Sequence, residues 1–109
     1  MFIEMKNIHV THGSAQKVVD QFASPGVVEE AEGFVDLSVL VKETRKGPDE
    51  VVIMIRWESE EAWKQWEKSE PHLNMHRQSR GKAKPEHIIS SSHQTYDVKA
   101  VKEKAPSAP

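Results

Sequence analysis

The sequence predicts an α+β domain of the ferredoxin-like, split βαβ type, ordered β-α-β-β-α-α-β, with helices over one face of an antiparallel sheet. Three observations carry that expectation. Four stretches are β-rich, several alternating apolar and polar residues; an apolar stripe of helical period follows the first; and Lys46-Gly47-Pro48-Asp49 joins two β-rich runs as a hairpin turn. At 109 residues the chain has room for one core, and such a chain buries roughly two-thirds of its unfolded surface without staples.

The first strand is expected over residues 2–11, with Phe2, Glu4, Lys6, Ile8 and Val10 on one face and Ile3, Met5, Asn7 and His9 on the other. His12-Gly13 turns the chain, and Ser14 offers an N-cap. Ala15, Val18, Val19 and Phe22 then fall at i, i+3, i+4 and i+7, an amphipathic helix stopped by Ser24-Pro25-Gly26. Val35, Leu37, Val39 and Val41 alternate through a second strand over 34–44, and a third follows over 50–58. That third strand is apolar on both faces, with Val51, Ile53, Ile55 and Trp57 on one and Val52 and Met54 on the other. A central strand with tolerated apolar surface explains this, and so does a homodimer packed sheet on sheet.

Ser59 can cap the next helix, whose first turn holds Glu60 and Glu61, where the helix dipole favours acids. Pro71 is tolerated only in a first turn, so two helices, about 60–68 and 70–79, are expected to meet at an angle. A loop over 80–85 leads to a last strand over 92–102. The domain is expected to end at 103, with residues 104–109 a disordered tail.

Composition removes several functions. Fifteen basic and seventeen acidic residues leave a formal charge of −2, which argues against a nucleic-acid partner. No apolar run approaches the length of a membrane span, and the first residues lack a secretory layout, so a cytoplasmic protein is expected. Without cysteine there is no disulfide, thiolate metal site or cysteine nucleophile. Glycine-rich nucleotide loops and the serine-hydrolase elbow are also missing. Adjacent acids, Glu29-Glu30 and Glu60-Glu61, read as solvated faces. His72 and His76 have the four-residue spacing of two zinc ligands, but Leu73 stands where a zinc hydrolase keeps its glutamate. The basic group Arg77, Arg80, Lys82 and Lys84 reads as a solvated loop or as a site for a small anion.

Asn7, Trp66 and His76 stand out from this background. Asn7 interrupts an apolar strand face, where a buried amide needs a partner. Trp66 is a large rigid ring beside a helix break, and His76 lies ten residues on. Ten residues of straight helix rise about 15 Å, too far to share a pocket; the break at Pro71 lets the two helices fold around a cleft instead. On spacing alone the three also read as a satisfied core amide, a core indole and a surface imidazole.

At these positions the chain resembles the IsdG-type heme-degrading monooxygenases of the antibiotic-biosynthesis-monooxygenase-like superfamily. The resemblance runs over most of residues 1–100 and also involves Glu32-Gly33-Phe34 and Thr95-Tyr96-Asp97-Val98. Ile55-Arg56-Trp57-Glu58-Ser59-Glu60 and Trp63-Lys64-Gln65-Trp66-Glu67-Lys68-Ser69 are most similar to the Bacillus-type heme monooxygenase branch. The resemblance implies a homodimer whose sheets form an α/β barrel, with heme as both cofactor and substrate and electrons from an external donor, a reductase. It implies His76 as axial iron ligand, Asn7 as distal hydrogen-bond donor and Trp66 as the bulk that buckles the porphyrin. Arg77, Arg80 or Lys82 would meet the propionates. Two other readings are a heme carrier without turnover and a cofactor-independent monooxygenase acting on a small aromatic or polyketide substrate.

Overall fold

The four strands β1 (Phe2–Val10), β2 (Phe34–Lys42), β3 (Asp49–Trp57) and β4 (Ile88–Asp97) form one sheet in the order β2-β3-β1-β4, every neighbouring pair antiparallel. With α1 (Ala15–Ala23), α2 (Glu60–Lys68) and α3 (Glu70–Ser79) this completes the ferredoxin-like order expected. The structure, a computed structural model, describes residues 1–81 and 84–106. Lys82, one of the three propionate candidates, and residues 107–109 of the expected tail lie outside them.

Alternation along β1 decides which face is inside. Phe2, Ile8 and Val10 join Val51, Ile53, Ile55 and Trp57 of β3 under Ala15 and Val18 of α1 and Trp66 of α2, and these residues form the core. The other face carries Ile3, Met5 and Asn7 beside Val52 and Met54, with Leu40 47% exposed, and no helix among the described residues covers it. The doubly apolar third strand is thus buried on one side and open on the other.

Two serines set the helices. Ser59 Oγ accepts the Ala62 N–H at 3.1 Å, the cap expected for α2. Ser69 closes one helix and opens the next: its N–H donates to Trp66 O at 3.0 Å, while its Oγ accepts the His72 N–H at 3.4 Å. Pro71 then sits in the first turn of α3, so the bend costs no interior hydrogen bond. Ser14 does not cap α1; its Oγ lies 2.6 Å from Thr11 Oγ1 instead. A short 3-10 turn, Val28–Glu30, was not evident in the sequence.

The last strand is displaced from the expected 92–102. It begins at Ile88 and ends at Asp97, because Asp97 pairs with Phe2, the first residue of β1. Beyond it only Met1 O remains as a backbone partner, 3.0 Å from Val98 N, so Lys99 onward has no ladder to join. Among the described residues no helix is long and apolar enough to cross a membrane.

At the far end of the sheet the Asp49 carboxylate accepts the N–H groups of Gly13 and Thr44, each at 2.9 Å, tying the β1–α1 turn to the hairpin. Those two backbone donors hold its carboxyl below the ordinary carboxylate value, with burial opposing and His12 adding a smaller pull. A depressed carboxyl contributes stability that is complete above the unfolded pKa and lost as pH falls through the lower folded one. Asp49→Ala is therefore expected to lower the thermal midpoint at pH 7 by on the order of 10 °C. The gap between variant and parent should close as the melts are taken down through pH values below the ordinary carboxylate range, where the depressed folded carboxyl at last protonates.

Candidate active-site cavity

Between the inner sheet face and the three helices lies a cavity of about 1010 Å3, with walls that include Phe22, Phe34, Leu37, Val39, Ile55 and Trp66. A second space of about 510 Å3 runs toward β4 and shares Glu4, Lys6, Gln21, Phe22, His72 and His76 with the first. The combined space is apolar on the α1–β2 side and carries its charged and imidazole groups where β1, β4, α2 and α3 converge. It has the size and the mixed lining of a site for a large, mostly apolar ligand.

His76 lies on the exposed side of α3 and borders both spaces. Its Nε2 is 3.0 Å from Nε2 of His72, one turn earlier, and His72 Nε2 is 2.9 Å from Glu67 Oε2. A carboxylate only accepts, so His72 Nε2 carries the hydrogen given to Glu67. That one hydrogen is spent on Glu67, and His76 Nε2 stands beside the pair where it borders both spaces. Burial pushes the His72 imidazole below its ordinary value, Glu67 partly opposing, which keeps the ring neutral at pH 7. Trp66 is 7% exposed, stacked on Trp57 with ring centroids 6.4 Å apart, and its edge meets His72 at 5.1 Å. It is a core residue that shows one side to the cavity.

The structure does not bring Asn7 there. It pairs with Val52 on the sheet face turned away from the helices, while the cavity takes Glu4, Lys6 and Ile8 from the alternate positions of β1. In a strand, one residue of register decides the face, and Lys6 holds the inward position. Arg77 is also absent from the cavity walls. Its Nη1 reaches Asn74 Oδ1 at 3.0 Å and Glu70 Oε2 at 3.4 Å along the solvent side of α3. Among the described residues, Lys6 is the lysine that borders both spaces.

Lys6, Glu4, Glu67 and His93 went unnoticed in the sequence as site residues. The signal for the first two was present: charges at positions 4 and 6 interrupt a strand face otherwise made of Phe2, Ile8 and Val10. A charge on a core face needs a reason. For Glu67 and His93, only the packing of α2 over the β1–β4 ladder shows the relation.

The antibiotic biosynthesis monooxygenase family matches residues 1–78 of the chain. The chain belongs to this family. It is 47% identical over 103 residues to the heme-degrading monooxygenase HmoA of Bacillus subtilis (strain 168), covering 94% of this chain and 95% of that one. A crystal structure of a Bacillus cereus protein described as an antibiotic biosynthesis monooxygenase is 51% identical, with a TM-score of 0.82 over 94% of this chain and 97% of that one. The heme-degrader MhuD of Mycobacterium tuberculosis, solved with two hemes in its active site, shares the fold at a TM-score of 0.66 and 20% identity, over 94% of this chain and all of that one.

Proposed function

We propose that this family member degrades heme, opening the porphyrin with oxygen and external electrons and releasing iron and a linear tetrapyrrole. The observation that carries the reading is the exposed His76 imidazole, beside the His72–Glu67 pair, at the edge of an apolar cavity of about 1010 Å3. End-to-end similarity to HmoA supports it independently. In this reading His76 binds the iron after exchanging its contact with His72 for the metal, and Trp66, braced by Trp57, is the rigid surface against the macrocycle. Bound heme supplies both the oxygen-activating iron and the carbon skeleton that is consumed.

The chain supplies ligation, shape and a donor. Lys6, rising from the sheet across the cavity from α3, takes the donor role that the resemblance gave to Asn7. An ammonium has three N–H groups and no acceptor, so it would stabilise negative charge developing on a ligand bound in the cavity. The uncovered sheet face, with Ile3, Met5, Leu40, Val52 and Met54, fits a homodimer packed sheet to sheet. A separate reductase is the electron source in this reading, and the cytoplasm, where such reductants are found, is the proposed location.

Titration of the chain with hemin tests the proposal. The expected result is a Soret-absorbing complex that saturates at one heme per chain. With reductant, oxygen and catalase, the band should then decay while chelatable iron and a linear tetrapyrrole appear. A band that persists under those conditions makes the protein a heme carrier, and failure to bind hemin favours an oxygenase of small aromatic substrates.

A further inference from the structure

Where the cavity meets β4, three ligand-bearing side chains converge from separate elements. In the β1–β4 ladder Glu4 pairs with Thr95 and Lys6 with His93, so Glu4 and His93 are diagonal neighbours on the inner face. His93 Nε2 lies 2.8 Å from Glu4 Oε2. Glu67 of α2 reaches the same place, and one ligand atom from each of the three residues lies within 4.8 Å of the other two. The Glu4 side chain is only 5% exposed, and its Oε1 has no hydrogen-bond partner among the described residues. A buried carboxylate oxygen left without a partner is costly, and Glu4 is one of the residues that line the cavity. Lys6 and His72 also face this corner, but neither forms a hydrogen bond or ion pair with Glu4 among the described residues.

We propose that Glu4, Glu67 and His93 form a binding site for a first-row divalent cation, separate from the imidazole of His76. Two carboxylates and one imidazole make a hard-to-borderline donor set suited to ferrous iron, manganese or zinc. Three protein ligands leave coordination positions open to water on the cavity side. The free Oε1 of Glu4 gives the ion a ligand that no other group in the fold uses. The cation enters from the cavity, because His93 is half exposed there while Glu4 closes the inner end. Iron freed in the cavity would meet this site on its way out; that role rests on the heme reading above, whereas the cation site does not.

Titration of the tag-free, heme-free chain with Co2+, followed by its visible ligand-field absorption, tests the site alone. The expected result is saturation at one Co2+ per chain. Affinity should fall about tenfold or more in both Glu4→Gln and His93→Ala, and stay at the parent value in His76→Ala. His93 is a partly exposed residue on the edge strand β4, so its variant keeps the test valid should Glu4→Gln fold poorly. Lack of Co2+ binding by the parent chain overturns the proposal, as does parent-like binding in His93→Ala. Loss of binding in His76→Ala also overturns it, because the ion would then sit on the His72–His76 pair of α3.

Discussion

His76→Ala is expected to abolish the histidine-type Soret complex and to reduce heme turnover to background, while leaving the fold and thermal midpoint near the parent's. The side chain is exposed on α3 and contributes nothing to the core, so its removal costs little stability. Its loss removes the exposed imidazole that borders both cavity spaces. His72→Ala provides the contrast. His72 is 14% exposed in its side chain, neutral, and engaged with Glu67, so it holds His76 in place and is itself poorly placed to reach iron. That variant should retain a Soret complex with weaker affinity, by about tenfold, as expected when the hydrogen-bonded partner of a ligand is removed. Visible absorption and electron paramagnetic resonance of the ferric complexes distinguish the two outcomes. A parent-like spectrum in His76→Ala together with its loss in His72→Ala would transfer the ligand role one turn toward the N-terminus.

The elements and the site were legible to different degrees, for physical reasons that individual residues show. The bounds of α2 and α3 could be read because Ser59, Ser69 and Pro71 are local signals, each acting on the backbone within one turn. The end of β4 could not, because it is set by where its partner β1 begins, and that is a long-range fact. Asn7 was chosen on chemistry, as an amide on an apolar strand, although alternation already placed Lys6 rather than Asn7 on the face shared with Phe2, Ile8 and Val10. Arg77 lies outside the cavity walls for another reason. None of the residues of α3 is buried, so its hydrophobic pattern could not say which side faces the cavity; the ion pair with Glu70 shows the answer. Glu67 and His93 are far apart in the sequence and meet only once α2 packs over the sheet.

Gly33→Ala is expected to be the most destabilising single-methyl addition in the chain, through two separable effects. Gly33 has φ +84°, a region that costs an L-residue about 1–3 kcal/mol. An added Cβ would also lie 2.4 Å from the Cβ of Ala62 on α2, a distance that side-chain rotation cannot relieve because neither carbon moves with χ1. Something in the backbone has to give, at a further cost of about 1–3 kcal/mol. Together these amount to a large part of the stability of an ordinary domain, roughly 5–15 kcal/mol. The cheapest adjustment is outward movement of α2, since Gly33 is held to the residue just after β3 by the hydrogen bond from Glu58 N to its carbonyl at 2.8 Å. Ala62 sits one turn before Trp66, so that movement would also loosen the Trp57–Trp66 stack and shift the ring that borders the cavity. Chemical denaturation of Gly33→Ala, Ala62→Gly and the double variant separates the two costs. The double variant should recover the part due to overlap and retain the part due to φ, apart from the ordinary penalty of about 1 kcal/mol for replacing a helical alanine by glycine. Heme affinity should track the overlap and not the strain: weakened in Gly33→Ala, and restored when the Ala62 methyl is removed. Equal affinity in the single and double variants would mean that α2 does not move to admit the methyl.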